Sequence, residues 1–323
     1  MEITSSNVRQ WSRLGSRGVF GQAILSLAAT KQDLMVLSAD LGNSSGLDRF
    51  KNAYPNKFIN VGIAEQNMIG VAAGLAKGGF VVFATSFAPF ISMRSSEQIR
   101  MNLGYMNLNV KAVAIGSGVS MAFLGVSHYG IEDVAIMRAI PNLVVVSPAD
   151  CAEIVKTVYA AAAYDGPMYI RLTGAANNPP VYKEDYNFEL GKAITLREGS
   201  DVTIIASGTM VYESLEAAKT LDEKGISSTV VNMHTIKPLD ASVIDKAVSS
   251  SKLIVTVEEH SVIGGLGSAV AEYKASLAGA PPQLIIGLPD IYGKAGDYRY
   301  LLEKYGLTGP QITQKIMVNL NPR

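Results

Sequence analysis

The chain has a single cysteine among 323 residues, Cys151, so no internal disulfide can form and thiol content gives no sign of an oxidising compartment. A lone cysteine of this kind reads as a small core hydrophobe. Net charge is missing too. The 28 Lys plus Arg balance 28 Asp plus Glu, which argues against a nucleic acid or an anionic membrane surface bound by bulk electrostatics. No apolar run is long enough to span a bilayer, and the polar N-terminus carries no basic-then-apolar leader, so a soluble, cytoplasmic protein is expected. The three histidines, His128, His234 and His260, lack ligand spacing, and no G-x-x-x-x-G-K-[ST] loop occurs. Neither a metal centre on this chain nor a Walker-type phosphate cradle is expected.

What is present is apolar residue and glycine. A hydrophobic content of 48% with 30 glycines suits a large buried α/β core, and the length suggests about two domains. Short apolar runs at 34–38, 58–62, 80–84, 110–115, 143–146 and 168–172 alternate with helix-periodic segments, which implies a parallel sheet covered on both faces. The stretch Thr173 to Asp185, with paired asparagines and paired prolines, breaks the pattern and reads as a connector wandering over the surface. Alternation then resumes with strands at 202–206, 228–232, 253–258 and 284–286. The expected fold class is α/β, with two domains over 1–180 and 191–323, each a mostly parallel sheet covered by helices, and a linker at 181–190.

One carboxylate stands out. In Phe58-Ile-Asn-Val-Gly-Ile-Ala-Glu-Gln-Asn-Met68 the pattern changes from a strand to a helix start, placing Glu65 in the first helical turn, near the positive end of the dipole and past the end of a strand. It is either a local helix stabiliser or a ligand-facing group. The helix runs to about Lys77, with small residues that allow close approach of another backbone, and Gly78-Gly79 ends it. Phe87 and Phe90 have helical spacing just after the strand at 80–84, on the edge that carries Glu65. Core packing is the default for such a pair, but a flat apolar wall beside a carboxylate can also stack a planar ring and suits proton sharing. His128, in the loop Gly125-Val-Ser-His-Tyr-Gly130, lies at a carboxyl edge, where a loop histidine is more often functional than structural. Gly264-Gly-Leu-Gly267 could hold an anion at a helix N-terminus, although it lacks dinucleotide spacing and Glu258-Glu259-His260 intervene. His234 reads as a packing or capping residue at a strand end.

These pieces together resemble a family. Val-Gly-Ile-Ala-Glu65-Gln-Asn-Met, Ala-Thr-Ser-Phe87-Ala-Pro-Phe90, Ser-His128 followed by Ile-Glu-Asp133, Ile140-Pro-Asn-Leu with Ser-Pro-Ala-Asp150, and Val-Glu-Glu-His-Ser-Val-Ile-Gly-Gly-Leu-Gly267 are similar to the C-terminal half of transketolase, over nearly the whole chain. The resemblance implies a pyrimidine-binding domain, a transketolase C-terminal domain and thiamine diphosphate as cofactor. It gives Glu65 the task of hydrogen-bonding N1′ of the aminopyrimidine, which promotes loss of the thiazolium C2 proton. It implies that Phe87 and Phe90 hold the ring, that Asp40 lies in the neighbouring cofactor loop and that His128 faces substrate oxygens. Arg17, Ser44 and Arg171 are expected at a substrate phosphate.

The family's Gly-Asp-Gly motif with its Asn pair, which anchors the diphosphate through Mg²⁺, is absent from the sequence. The resemblance therefore implies the second subunit of a split transketolase, with the cofactor shared at an interface with a separate N-terminal subunit that binds Mg²⁺, in an α₂β₂ assembly acting on sugar phosphates. Leu124 stands where the family usually has an Asp that contacts a sugar hydroxyl, and Gly116 or Ser117 where it has a phosphate-side His. A variant ketose or a non-phosphorylated substrate is compatible with both. A decarboxylating relative, such as a 2-oxoacid dehydrogenase β subunit or a deoxyxylulose-phosphate synthase, and a non-catalytic scaffold subunit remain as alternatives.

Overall fold

Each half of the chain builds its own sheet. The first half supplies β1 (Leu34–Ser38), β2 (Phe58–Asn60), β3 (Val81–Phe87), β4 (Val110–Ile115), β5 (Val144–Val146) and β6 (Met168–Arg171). The second supplies β7 (Ile194–Arg197), β8 (Val202–Ala206), β9 (Ser228–Asn232), β10 (Thr235–Lys237), β11 (Leu253–Ser261) and β12 (Gln283–Leu288). The computed structural model describes residues 1–320; the last three positions of the expected 191–323 domain lie outside the described residues. A seven-stranded sheet runs β10-β5-β6-β4-β3-β1-β2 and a five-stranded one β12-β11-β8-β9-β7. Strands β1 to β6 pair in parallel throughout, so the carboxyl ends of β1, β2, β3 and β4 share one edge.

Residue alternation builds the two layers of core. Leu34, Val36, Phe83 and Val113 face one apolar cluster, which includes residues of the helices Ser5–Ala28 and Cys151–Ala163. Met35, Leu37, Ala84 and Ala112 face another, against Met68, Ile69 and Ala72 of the helix Glu65–Lys77. Every residue of β1, β3 and β4 is buried, as expected for parallel strands covered on both faces. Cys151 is buried in this core, and burial pushes its thiol up, so it behaves as the small hydrophobe expected.

Four features depart from expectation. Strand β3 runs on to Phe87, because Thr85 and Ser86, polar in the sequence, are fully buried between β1 and β4 and keep pairing as far as Phe87 with Ile115. The first helix spans Ser5–Ala28, although the sequence expectation is a helix only over 18–31, and it is interrupted at Gly15, where φ is 79°. The halves also interlock. Residues 235–237 of the second half form β10, antiparallel to β5 at the edge of the first sheet. The connector is packed as well: Asp150 Oδ2 accepts from the backbone N–H of Val181 (2.7 Å) and Tyr182 (2.9 Å), and the Tyr182 and Tyr186 rings stack at 3.7 Å.

Candidate functional site

Glu65 opens its helix at the shared carboxyl edge. Gly62, with φ 75°, turns the chain out of β2, and its N–H donates to Asn60 Oδ1 at 3.0 Å. The Glu65 side chain is only 2% exposed, yet both oxygens have partners. Ser86 Oγ, on the buried end of β3, donates to Oε1 at 3.3 Å, and Arg94 Nη1 donates to Oε2 at 2.7 Å. The Arg94 guanidinium also lies over the Phe90 ring, 4.4 Å from its centroid. Arg94 reaches both because the segment Phe90–Arg94 is wound loosely, with i→i+5 geometry, directly after β3.

Phe87, Phe90 and His128 form one aromatic cluster. The two phenyl rings meet edge to face at 6.1 Å, and the imidazole lies 5.4 Å from each. Burial against them lowers the His128 pKa below the usual histidine value, so the ring is neutral at pH 7. Its Nδ1 lies 3.1 Å from Ser127 Oγ. Glu65, Phe87, Phe90 and His128 are thus linked through contiguous contacts on one sheet edge, the arrangement an α/β sheet uses for ligands.

The other sequence candidates divide. Arg17 is half-buried, and its Nη1 donates to the Ser44 carbonyl at 3.1 Å, so these two come together on the loop that follows β1. Asp40, with φ 58°, exchanges two hydrogen bonds with Asn60: its N–H donates to Asn60 Oδ1 and its Oδ1 accepts from Asn60 Nδ2, both at 3.0 Å. Arg171 turns largely inward. It is 2% exposed, its Nε donates to Asp133 Oδ2 at 2.9 Å, and its Nη2 donates to the carbonyls of Gly130 (2.9 Å) and Glu259 (2.7 Å). Nε and Nη2 are thus taken up by the chain's own acceptors, while among the described residues Nη1 has none.

The glycine loop is likewise occupied from within. Glu258 accepts from the N–H of Leu266 (2.7 Å) and Gly267 (2.8 Å), filling the helix N-terminus with the chain's own carboxylate. A Cβ at Gly265 would lie 2.1 Å from Glu258 Oε2, which is why glycine is needed there. His234 is buried, its ring stacked on Phe188 at 4.4 Å, and packs as expected. Among the described residues no three His, Cys, Asp or Glu side chains cluster as metal ligands, and no helix is long and apolar enough to cross a membrane.

Sequence reasoning missed two sets of residues. Ser86 and Arg94, the partners of Glu65, flank the aromatic pair, and no sequence spacing ties them to Glu65. Glu258-Glu259-His260, read as a spacer, is the seam between the halves. Glu259 Oε1 accepts from the Val119 N–H at 2.7 Å, and Oε2 accepts from Thr209 Oγ1 and Tyr298 Oη, each at 2.7 Å. The Ala135 N–H donates to His260 Nε2 at 3.4 Å. Three consecutive polar residues at a strand end, in an otherwise apolar sequence, were the available signal.

The chain is similar to known proteins over nearly its whole length. The family described as "Transketolase, pyrimidine binding domain" matches residues 13–178, and "Transketolase, C-terminal domain" matches 191–312. A Methanocaldococcus jannaschii protein provisionally named as a transketolase C-terminal section is 45% identical over 305 residues, covering 94% of this chain and 95% of its own. A 6-deoxy-6-sulfo-D-fructose transketolase subunit from Clostridium sp. (strain MSTE9) is 41% identical, covering 92% of each chain. Among solved structures, a split gene transketolase described as an inactive β4 tetramer superposes with a TM-score of 0.85 at 42% identity, covering 94% of this chain and 97% of its own.

Proposed function

Since this chain belongs to the transketolase family, with its pyrimidine-binding and C-terminal domains in that order, we propose that it is the pyrimidine-side subunit of a two-component transketolase. On this reading it moves a two-carbon ketol unit from a ketose to an aldose, in its commonest form both phosphorylated. The setting of Glu65 carries the proposal: a buried carboxylate at the sheet edge, with Oε1 fixed by Ser86 and Oε2 already holding a planar N–H donor that stacks on Phe90.

The residues present fit an aminopyrimidine, because a guanidinium and that ring make the same demands, an aromatic face and an acceptor in the plane. Phe87 and Phe90 would hold the ring of thiamine diphosphate, Glu65 would share a proton at N1′, and Asp40 borders the same edge. When bound, the cofactor supplies a carbon nucleophile at C2 of its thiazolium. His128, neutral and half-buried against the phenyl pair, can donate to or accept from a substrate oxygen. Arg17, Ser44 and Arg171 are the candidates for a substrate phosphate.

Mg²⁺ and the diphosphate are assigned to a separate N-terminal subunit, in an α₂β₂ assembly. Support comes from relatives of matching length named as a transketolase C-terminal section and a transketolase subunit, and from exposed apolar side chains next to the site residues in sequence, Ile63, Met93, Phe123, Leu124 and Val126. The solved relative that is inactive as a β4 tetramer is in keeping with a need for that partner. The relative acting on 6-deoxy-6-sulfo-D-fructose indicates that donors in this family vary, and the apolar Leu124 suits such variation.

The test is reconstitution with the N-terminal partner, thiamine diphosphate and Mg²⁺, with xylulose 5-phosphate plus ribose 5-phosphate assayed against pyruvate. Ketol transfer is expected. CO₂ release from pyruvate without transfer would replace the reading with a decarboxylating enzyme, and an intact assembly with no turnover of any ketose would leave a scaffold subunit.

A further inference from the structure

Among the described residues Arg94 is the one cation paired with Glu65. Arg94 Nη1 donates to Glu65 Oε2 at 2.7 Å, and its guanidinium carbon lies 4.4 Å from the Phe90 centroid. A planar, positively charged group therefore already has the two contacts that the reading above assigns to the aminopyrimidine, a stack on the phenyl wall and a donor facing Glu65 Oε2. Two planar groups cannot both lie on that face of Phe90 and both point a nitrogen at one oxygen. Glu65 is buried at 2%, whereas the Arg94 side chain is 46% exposed. Among the described residues Glu65 is the sole hydrogen-bond acceptor of its guanidinium. One partner of this ion pair is fixed, and the other can turn out to water without disturbing the core.

We propose that Arg94 is a resident stand-in for the cofactor ring. In the cofactor-free chain it fills the pyrimidine seat, compensating the buried Glu65 carboxylate and covering Phe90, and it must leave that seat before the ring can enter. Arg94 thereby sets the affinity for the cofactor. The seat stays charge-balanced until the partner subunit brings the diphosphate end, whose binding energy offsets the displacement. This inference rests on the assignment of Glu65 to the pyrimidine.

Isothermal titration of thiamine diphosphate, with Mg²⁺, into the reconstituted complex tests it. Arg94→Met should tighten Kd by about tenfold, the worth of one half-exposed ion pair no longer broken on binding. In the free chain the same change should lower Tm, and the rise in Tm that cofactor gives the complex should be larger than in wild type. Arg94→Lys, which keeps the charge but cannot stack as a plane, should fall between the two and serves if the Met variant does not fold. Unchanged or weaker binding in the Arg94 variants, with Glu65→Gln still weakening it, would overturn the proposal and make Arg94 a permanent neighbour of Glu65. If Glu65→Gln leaves Kd unchanged, the pyrimidine assignment fails and the stand-in falls with it.

Discussion

Glu65 and Glu259 are equally hidden, at 2% and 1% exposure, and both lie where a strand gives way to a loop or helix. They differ in who holds them. Glu259 is bound by a backbone N–H and two buried hydroxyls, with Arg171 enclosed beside it; burial raises its pKa, while Arg171 and those hydrogen bonds pull it back. None of these partners can leave without opening the core. Glu65 is held by one buried hydroxyl and by one long side chain that is half in solvent. Burial alone therefore does not separate a structural carboxylate from a working one. The mobility of its partners does.

The largest expected effect falls on Glu65, the carboxylate proposed to share a proton. Glu65→Gln in the reconstituted complex should slow exchange of the cofactor C2 proton, followed by NMR in D₂O, by about 10²–10⁴-fold while the assembly stays intact. Unchanged exchange would remove Glu65 from proton transfer. On stability the order reverses. Glu259→Ala leaves the Val119 N–H and the Thr209 hydroxyl at the seam without an acceptor, with Tyr298 Oη keeping only its bond to Thr209 Oγ1 at 3.3 Å, and should cost about 3 kcal/mol in urea denaturation of the free chain. Glu65→Ala should cost about 1 kcal/mol, since Arg94 can turn to water. Equal losses would mean that Arg94 is as firmly held as the seam, contrary to the comparison.

Much of the fold was legible because apolar alternation fixes which residues can be buried. Strands β1 and β4, and the helix Glu65–Lys77 up to its end at Gly78, need only that pattern. Strand β10 could not be read this way: Thr235–Lys237 is short and only partly apolar, and it pairs with β5 of the other half because Lys237 Nζ reaches the carbonyls of Arg138 and Ile140. The site was legible as far as residue types with a known task go, Glu65, Phe87, Phe90 and His128. For Arg171 the sequence shows that an arginine ends a strand, but not that Asp133 and the Glu259 carbonyl, from distant segments, engage its Nε and Nη2. Arg94 was missed because its pairing with a residue 29 positions away depends on the loose winding after β3.

A smaller effect concerns His128, which like Glu65 faces the open side of the comparison. Packing against Phe87 and Phe90 lowers its pKa, so protonation sets in only at a pH below the usual histidine value of about 6.5. If neutral imidazole is the working form, the acid limb of kcat/KM should lie below that value and move up towards it in Phe87→Leu, where the ring is better hydrated. His128→Asn should lose the limb and lower turnover by about 10- to 100-fold. A limb that stays in place in both variants would belong to another group.

The smallest effect is the sharpest control on the comparison, because it uses an arginine six residues from Arg94. Arg100 also pairs with a glutamate, its Nε and Nη2 each donating to Glu97 at 2.8 Å. By count of hydrogen bonds that pair is better made than the one between Arg94 and Glu65. Both of its members are exposed, however, so water can replace every contact and neither side chain is desolvated. Arg100→Ala should leave Tm and cofactor Kd unchanged within error, where Arg94→Met shifts both. If the two substitutions act alike, the response comes from the charge of this helix as a whole. If only Arg94 acts, the distinction lies in the buried carboxylate beneath it, which is what separates a seat awaiting a ligand from an ordinary surface ion pair.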